Sequence, residues 1–236
     1  MLPANARYLV LDTETSGISD SDRIVEIAWK EIDEDFNVID QHESLIDCQC
    51  FISPAASAVH GLTQEDLTSY PTIEEFFSED DPTCYGSPVT DEVVLIGHKC
   101  AFDERFIRPF INVKFMLDTL TWARRLYPES ETHQLSTLAY ALGLPRPSAS
   151  HRAMSDVDTA YYLLRHIAER TGMGLPQLVE ASQTARALPY CPLGKHKGKG
   201  WSELPAPYLR WMSDAISDDL DIAFSVNQEL QRRKQK

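Results

Sequence analysis

Four consecutive apolar residues, Val93-Val94-Leu95-Ile96, leave a strand no polar face to show to water, so this segment belongs in a sheet covered on both sides. Upstream, residues 7 to 13, 23 to 32 and 36 to 46 are rich in β-branched and aromatic residues and are separated by polar, turn-like clusters. They predict three successive antiparallel strands. Residues 54 to 77 mix prolines with short helical pieces, 78 to 92 reads as an acidic loop, and 101 to 109 as a helix. One more strand is predicted at 114 to 117, followed by helical patterns at 118 to 126, 134 to 142, 152 to 170 and 175 to 187. Strands first and mixed elements afterwards predict an α/β fold with a mixed five-stranded sheet flanked by helices.

The 236 residues suffice for one domain of ordinary size and an appendage. No apolar run approaches the ~18 to 20 residues that cross a bilayer, and the N-terminus lacks the apolar core of a signal peptide. The expected location is therefore the cytoplasm, with no membrane partner. Five cysteines (Cys48, Cys50, Cys84, Cys100, Cys191) without a C-x-x-C pair predict reduced, mostly buried thiols rather than disulfides or a zinc site. A net charge of −14 argues against nucleic-acid binding in bulk, because phosphates call for a basic face. Between Cys191 and Trp211, however, Lys195, Lys197, Lys199 and Arg210 face Glu203 alone. That segment carries +3 and the remainder of the chain −17.

The chemistry starts where the apolar run Tyr8-Leu9-Val10-Leu11 breaks into Asp12-Thr13-Glu14. Side chains alternate along a strand, so both acids emerge on one face with Cα atoms about 6 to 7 Å apart. Like charges that close raise each other's pKa unless a cation lies between them, and carboxylate oxygens suit Mg²⁺ or Mn²⁺. By itself the pair is also what a strand ending in solvated acids shows. Two other stretches add acids: Asp103 follows the turn Gly97-His98-Lys99, and Asp156 follows His151-Arg152-Ala153-Met154-Ser155 at the start of the longest amphipathic helix. Each has an ordinary reading as well, Asp103 through the helix dipole and His151 as a cap. Asp158, two residues on from Asp156, points away and reads as a solvated dipole partner.

Together these stretches resemble the three motifs of the DEDDh 3′→5′ exonuclease superfamily, whose fold is RNase H-like. The first is Asp12-Thr13-Glu14, the second runs from His98 to Asp103, and the third is His151-Arg152-Ala153-Met154-Ser155-Asp156. The sister class places a tyrosine four residues before the last acid, where this chain has Arg152; His151, five before it, fits the histidine class. The resemblance implies two divalent ions, Mg²⁺ or Mn²⁺. Asp12, Glu14 and Asp156 hold one, Asp12 bridges to the second, Asp103 stands nearby, and His151 takes the proton of the attacking water. The implied substrate is a free DNA 3′ end, single-stranded or frayed, releasing nucleoside 5′-monophosphates. The segment from Ile52 to Thr63 resembles the family's seat for the terminal nucleotide, which would place Thr13, Ala58, His60, Gly61 and Leu62 around the sugar, with Leu62 as a wedge. Composition alone reads Val59 and Leu62 equally well as core. His98 and Lys99 join the substrate side, Lys99 standing where the family usually has Asn and either meeting a phosphate or disturbing the local turn. The resemblance also admits RNA as substrate, a homodimer, and a fold kept as a non-catalytic nucleic-acid module. The presence of all four acids with His151 favours the enzyme.

The tail "PLGKHKGKGWSELPAPYLRWM" is not a phosphate loop: one residue is missing between Gly194 and Gly198, and Lys199 is followed by glycine rather than Ser or Thr. It resembles the small C-terminal module of exodeoxyribonuclease X-like proteins, which points to DNA. The expected division is an exonuclease domain at 1–187 and a small α/β module at 188–236. In that module an aromatic mini-core presents Lys195, Lys197 and Lys199 to nucleic acid. A final helix is expected at 218 to 236.

Overall fold

The computed structural model describes residues 6–78, 89–145, 152–216 and 219–235. Five strands, β1 (Arg7–Thr15), β2 (Ile24–Ile32), β3 (Val38–Leu45), β4 (Val89–Gly97) and β5 (Ile111–Asp118), form one mixed sheet in the order β3-β2-β1-β4-β5. The first three pair antiparallel, while β4 runs parallel to both β1 and β5. Both neighbours of β1 are thus inside the sheet, and this is why its first five residues are almost continuously apolar. The edge strand β3 turns charged and amide side chains outward, which discourages further strand pairing, and points His42 inward against Trp29 at 5.1 Å.

Helices cover both faces. On one lie α5 (Thr119–Leu126), α6 (Leu135–Ala141), α7 (Ala153–Thr171) and α8 (Leu175–Ser182), packed on Tyr8, Val10, Val94 and Ile96. On the other, α3 (Ile73–Phe76) and α4 (Cys100–Ile107) pack on Leu9, Leu11, Val93 and Leu95. Two short helices, α1 (Pro54–His60) and α2 (Gln64–Leu67), lie over a smaller cluster around Val25, Ile52 and Leu62. In α7, Ala153, Val157, Ala160, Leu164, Ile167 and Ala168 recur at helical spacing and are buried. The helix stops at Gly172, whose φ of 67° is left-handed. The helix expected to reach residue 187 ends at Ser182, and there the Arg125 guanidinium takes the carbonyls of Ala181 and Thr184.

The C-terminal unit differs from the expected α/β appendage. Among the described residues it holds one isolated bridge, Tyr190 to Gly200, two single 3-10 turns (Gly194–His196 and Trp201–Glu203) and two α-helices, α9 (Ala206–Ala215) and α10 (Leu220–Lys234). Its core, from Leu188 and Cys191 through Leu209 to Val226, is separate from the others and mainly aliphatic. Trp201 and Tyr208 pack at its margin, and Trp201 Nε1 donates to the Leu188 carbonyl at 2.7 Å. Ion pairs fasten the unit to α5. Arg124 meets Asp219, and Arg125 grips the fully buried Asp221 through Nε (2.6 Å) and Nη2 (2.8 Å). Cys48, Cys50, Cys100 and Cys191 are free thiols; Cys84 lies outside the described residues.

Candidate active site

The alternation of β1 sets the site. Tyr8 and Val10 point into the α7 layer, so Asp12 and Glu14 continue that face and meet Asp156 in the first turn of α7. Oxygens of Asp12, Glu14 and Asp156 lie within 4.8 Å of one another. The crossing of β1 and β4 is tight just before Asp12: a Cβ on Gly97 would stand 2.9 Å from the Leu11 carbonyl, so glycine is required there. Burial pushes the Asp12 carboxyl well above its ordinary range, and the charges of Asp103, Asp156, Glu14 and Glu26 push it further. Glu14 is raised to about 7 by burial, then by Asp156, Glu26 and Asp103, with Arg152 opposing.

Asp103 comes from the opposite layer. Leu9, Leu11 and Thr13 face α4, and there Asp103 Oδ1 accepts both the Thr13 N–H (3.0 Å) and the Thr13 hydroxyl (2.7 Å). Burial raises Asp103 to about 7 against the lowering pull of those bonds. The four acids of the sequence therefore fall into a cluster of three and one buried carboxylate that grips the strand between them. Thr13, expected to turn toward the substrate, has its N–H and hydroxyl committed to Asp103 and is 5% exposed.

Other candidates are placed as follows. Ala58 and Gly61 are exposed beside Val59, whereas Leu62 is buried among Val25, Ile52 and Leu67. A wedge role for Leu62 is not what this packing offers; Val59, 52% exposed, is the apolar side chain that α1 shows to solvent. His60 is buried too, with Nδ1 accepting the Leu62 N–H at 3.0 Å. His98 is a structural pin: Nε2 donates to the His133 carbonyl (2.7 Å), Nδ1 lies 2.9 Å from Thr119 Oγ1, and burial lowers it to about 4. Lys99 caps α4 in the left-handed region (φ 81°), where Asn or Gly fits more easily. Its N–H donates to Asp118, and its ammonium lies over Phe102. Asp158 turns from the acids to pair with Lys30 instead of water. His151 lies outside the described residues.

Two site residues escaped the sequence. Glu26, 2% exposed, sits opposite Glu14 across the β1–β2 ladder and accepts from Arg152 Nη2 (2.8 Å) and Nε (3.0 Å), and from the Ala153 N–H (3.3 Å). This clamp ties the N-terminus of α7, and with it Asp156, to β2. The signal was an acid inside Ile24-Val25-Glu26-Ile27-Ala28-Trp29, a strand buried on both faces. The other is Arg124, which lines a cleft of about 570 Å³ together with Asp12, Asp156, His98, Lys99 and, from the C-terminal unit, Lys197. Lys195 and Lys199 are exposed elsewhere on the same loop, Lys195 over the ring of Tyr208.

Comparison with known proteins agrees with this arrangement. The RNase_T exonuclease profile matches residues 9–164. The chain is 31% identical over 199 residues to a PolC-type DNA polymerase III of Thermotoga petrophila, covering 80% of this chain and 14% of the polymerase. It is 27% identical over 220 residues to exodeoxyribonuclease 10 of Escherichia coli, covering 89% of this chain and 94% of the relative. A solved structure of exonuclease X in complex with 5′-overhanging duplex DNA superposes with a TM-score of 0.58 at 28% identity, over 73% of this chain and 98% of that one. Among the described residues no helix is long and apolar enough to cross a membrane. The matched stretch carries the mixed sheet, the three clustered acids and the Asp103 brace, and the chain belongs to the RNase_T exonuclease family.

Proposed function

We propose that the chain is a divalent-metal-dependent 3′→5′ exodeoxyribonuclease that releases nucleoside 5′-monophosphates. The carrying observation is the convergence of Asp12, Glu14 and Asp156 from two elements into one partly buried cluster. Burial and mutual repulsion hold Asp12 and Glu14 in a state that a cation relieves. The donor set is all oxygen, which fits Mg²⁺ or Mn²⁺ rather than a softer metal. Asp12, Glu14 and Asp156 would hold the cation. When bound, such ions polarise the scissile phosphate and stabilise the leaving oxygen.

The chain's own residues do the remaining work. Asp103 fixes the end of β1 through Thr13, and the Glu26–Arg152 clamp fixes α7. Both keep the acids in register without side-chain movement during turnover. His151 would accept the proton of the attacking water through an imidazole nitrogen. The exposed turn at Ala58, Val59 and Gly61 seats the terminal nucleoside, with His60 and Leu62 supporting it from below. We assign residues 1–187 to this chemistry and 188–236 to strand binding. DNA is the preferred substrate because exodeoxyribonuclease 10, by its name a DNA enzyme, aligns over most of the chain.

The test uses 3′- and 5′-labelled DNA and RNA, single- and double-stranded, with Mg²⁺ or Mn²⁺. Mononucleotides should leave the 3′ end of DNA, and EDTA should stop the reaction. Digestion from the 5′ end, or in EDTA, would sink the proposal; faster RNA digestion would reassign the substrate. His151→Ala should retain metal and DNA binding and lose most turnover.

A further inference from the structure

We propose that the C-terminal unit completes the active-site cleft with a phosphate subsite, in which Lys197, with Lys99 and Arg124, binds the phosphodiester next to the scissile one. The inference rests on the exonuclease reading above and names where the substrate strand runs.

The cleft of about 570 Å³ is walled by two catalytic acids and three cations, and one of the cations comes from outside the family-matched stretch. Its position is built. Cys191 and Lys199 exchange backbone bonds with the loop (Cys191 N–H to Lys199 O, 2.9 Å; Gly198 N–H to Cys191 O, 2.8 Å), and left-handed Gly194 and Gly198 close it. Lys197 Nζ then donates to the Glu131 carbonyl, a neutral acceptor, so its charge is not cancelled by the contact that positions it. The Lys99 ammonium likewise meets a ring and forms no ion pair with a carboxylate among the described residues. Arg124 spends one nitrogen on Asp219, while its Nε is buried and without a hydrogen-bond partner.

Asp12 and Asp156 line the cleft and Glu14 does not, while just past Glu14 the end of β1 meets the start of α1 (Ser53 N–H to the Ser16 carbonyl, 2.9 Å), so the acids stand between two compartments. The terminal nucleoside takes the α1 side. The cleft receives the next nucleotide toward the 5′ end, whose phosphate requires cations where the scissile phosphate has the metal-binding acids. Lys195 and Lys199 are outside this wall, which singles out Lys197 from its neighbours. An acidic enzyme thereby places local positive charge on the strand path.

The experiment measures binding of fluorescein-labelled tetrathymidylate in Ca²⁺ across a range of NaCl. Lys197→Gln should weaken binding several-fold and flatten the log–log salt slope by about 0.7, one phosphate contact on a single strand. Lys197→Arg should restore both, and Arg108→Gln, which removes an equal charge at the far end of α4, should leave the slope as it was. Under turnover, Lys197→Gln should raise KM for tetrathymidylate more than for the p-nitrophenyl ester of thymidine 5′-monophosphate, which has no neighbouring nucleotide. An unchanged slope, or equal losses on both substrates, would overturn the subsite while leaving the exonuclease reading intact. Failure of the unmodified protein to degrade tetrathymidylate in Mg²⁺ would overturn that reading, and the subsite with it.

Discussion

Asp103 and Thr13 meet through two hydrogen bonds on one carboxylate oxygen, the Thr13 N–H at 3.0 Å and its hydroxyl at 2.7 Å, across the buried face between α4 and β1. The strand residue between two clustered acids is thus held from behind by a third acid. Thr13→Val keeps the shape and removes the hydroxyl donor. It should cost about 1 to 3 kcal/mol at pH 8, where Asp103 is ionised, and less at pH 6, where its carboxyl, raised to about 7, is protonated. Urea unfolding at the two pH values checks this, and an equal loss at both would separate the bond from the charge.

Glu14 is destabilising without metal. Its folded pKa, about 7, exceeds the unfolded 4.5, so ionisation opposes folding as pH rises through that window. Glu14→Gln should stabilise the metal-free protein by on the order of 1 to 3 kcal/mol at pH 8 and by little at pH 4.5. Mg²⁺ should raise the Tm of the unmodified protein at pH 8 and that of the variant less. Thermal unfolding with EDTA or Mg²⁺ decides it; a variant less stable than its parent in EDTA at pH 8 refutes the repulsion argument.

The Glu26–Arg152 clamp makes Arg152→Met costly, because it leaves a 2% exposed carboxylate unpaired. With Arg152 half exposed, the loss should be about 2 to 3 kcal/mol, and kcat should fall with it as α7 loosens. Adding Glu26→Gln to that variant should recover most of the stability. A double-mutant cycle with no coupling would mean the pair positions nothing.

Lys99 adopts a backbone conformation that L-residues other than Asn and Gly resist. Lys99→Asn should therefore raise stability by up to about 1 kcal/mol while weakening strand binding through the lost cleft charge. A lower Tm would show that the ammonium over Phe102 outweighs the strain.

Asp221 is the buried anchor of the C-terminal unit, accepting from Arg125 twice and from the Arg186 N–H at 2.7 Å. Asp221→Asn should cost about 3 to 5 kcal/mol in the docking of that unit and accelerate tryptic cleavage at Arg186. Unchanged cleavage kinetics would locate the docking energy elsewhere.

Much of the site was legible because strand alternation is local. Asp12 and Glu14 had to share a face wherever the strand went, and the apolar run Val93–Ile96 required a doubly covered sheet, which the β1–β4–β5 arrangement supplies. The order of the elements and the basic character of the tail followed from residue type and spacing, while the four acids were joined into one site only by the resemblance of their motifs to a known family. Legibility failed where a role depends on which layer packs against which strand. Asp103 approaches from the opposite side of the sheet and grips Thr13, Glu26 becomes a clamp only when β2 lies beside β1, and Leu62 is buried because α1 folds over Val25. The tail was the hardest case, since nothing in the spacing of its lysines says that Lys197 alone reaches the cleft. Residue chemistry and the two-residue period of a strand determined which groups could serve and which face the first pair would take. Long-range packing, which no local period encodes, decided which of them meet.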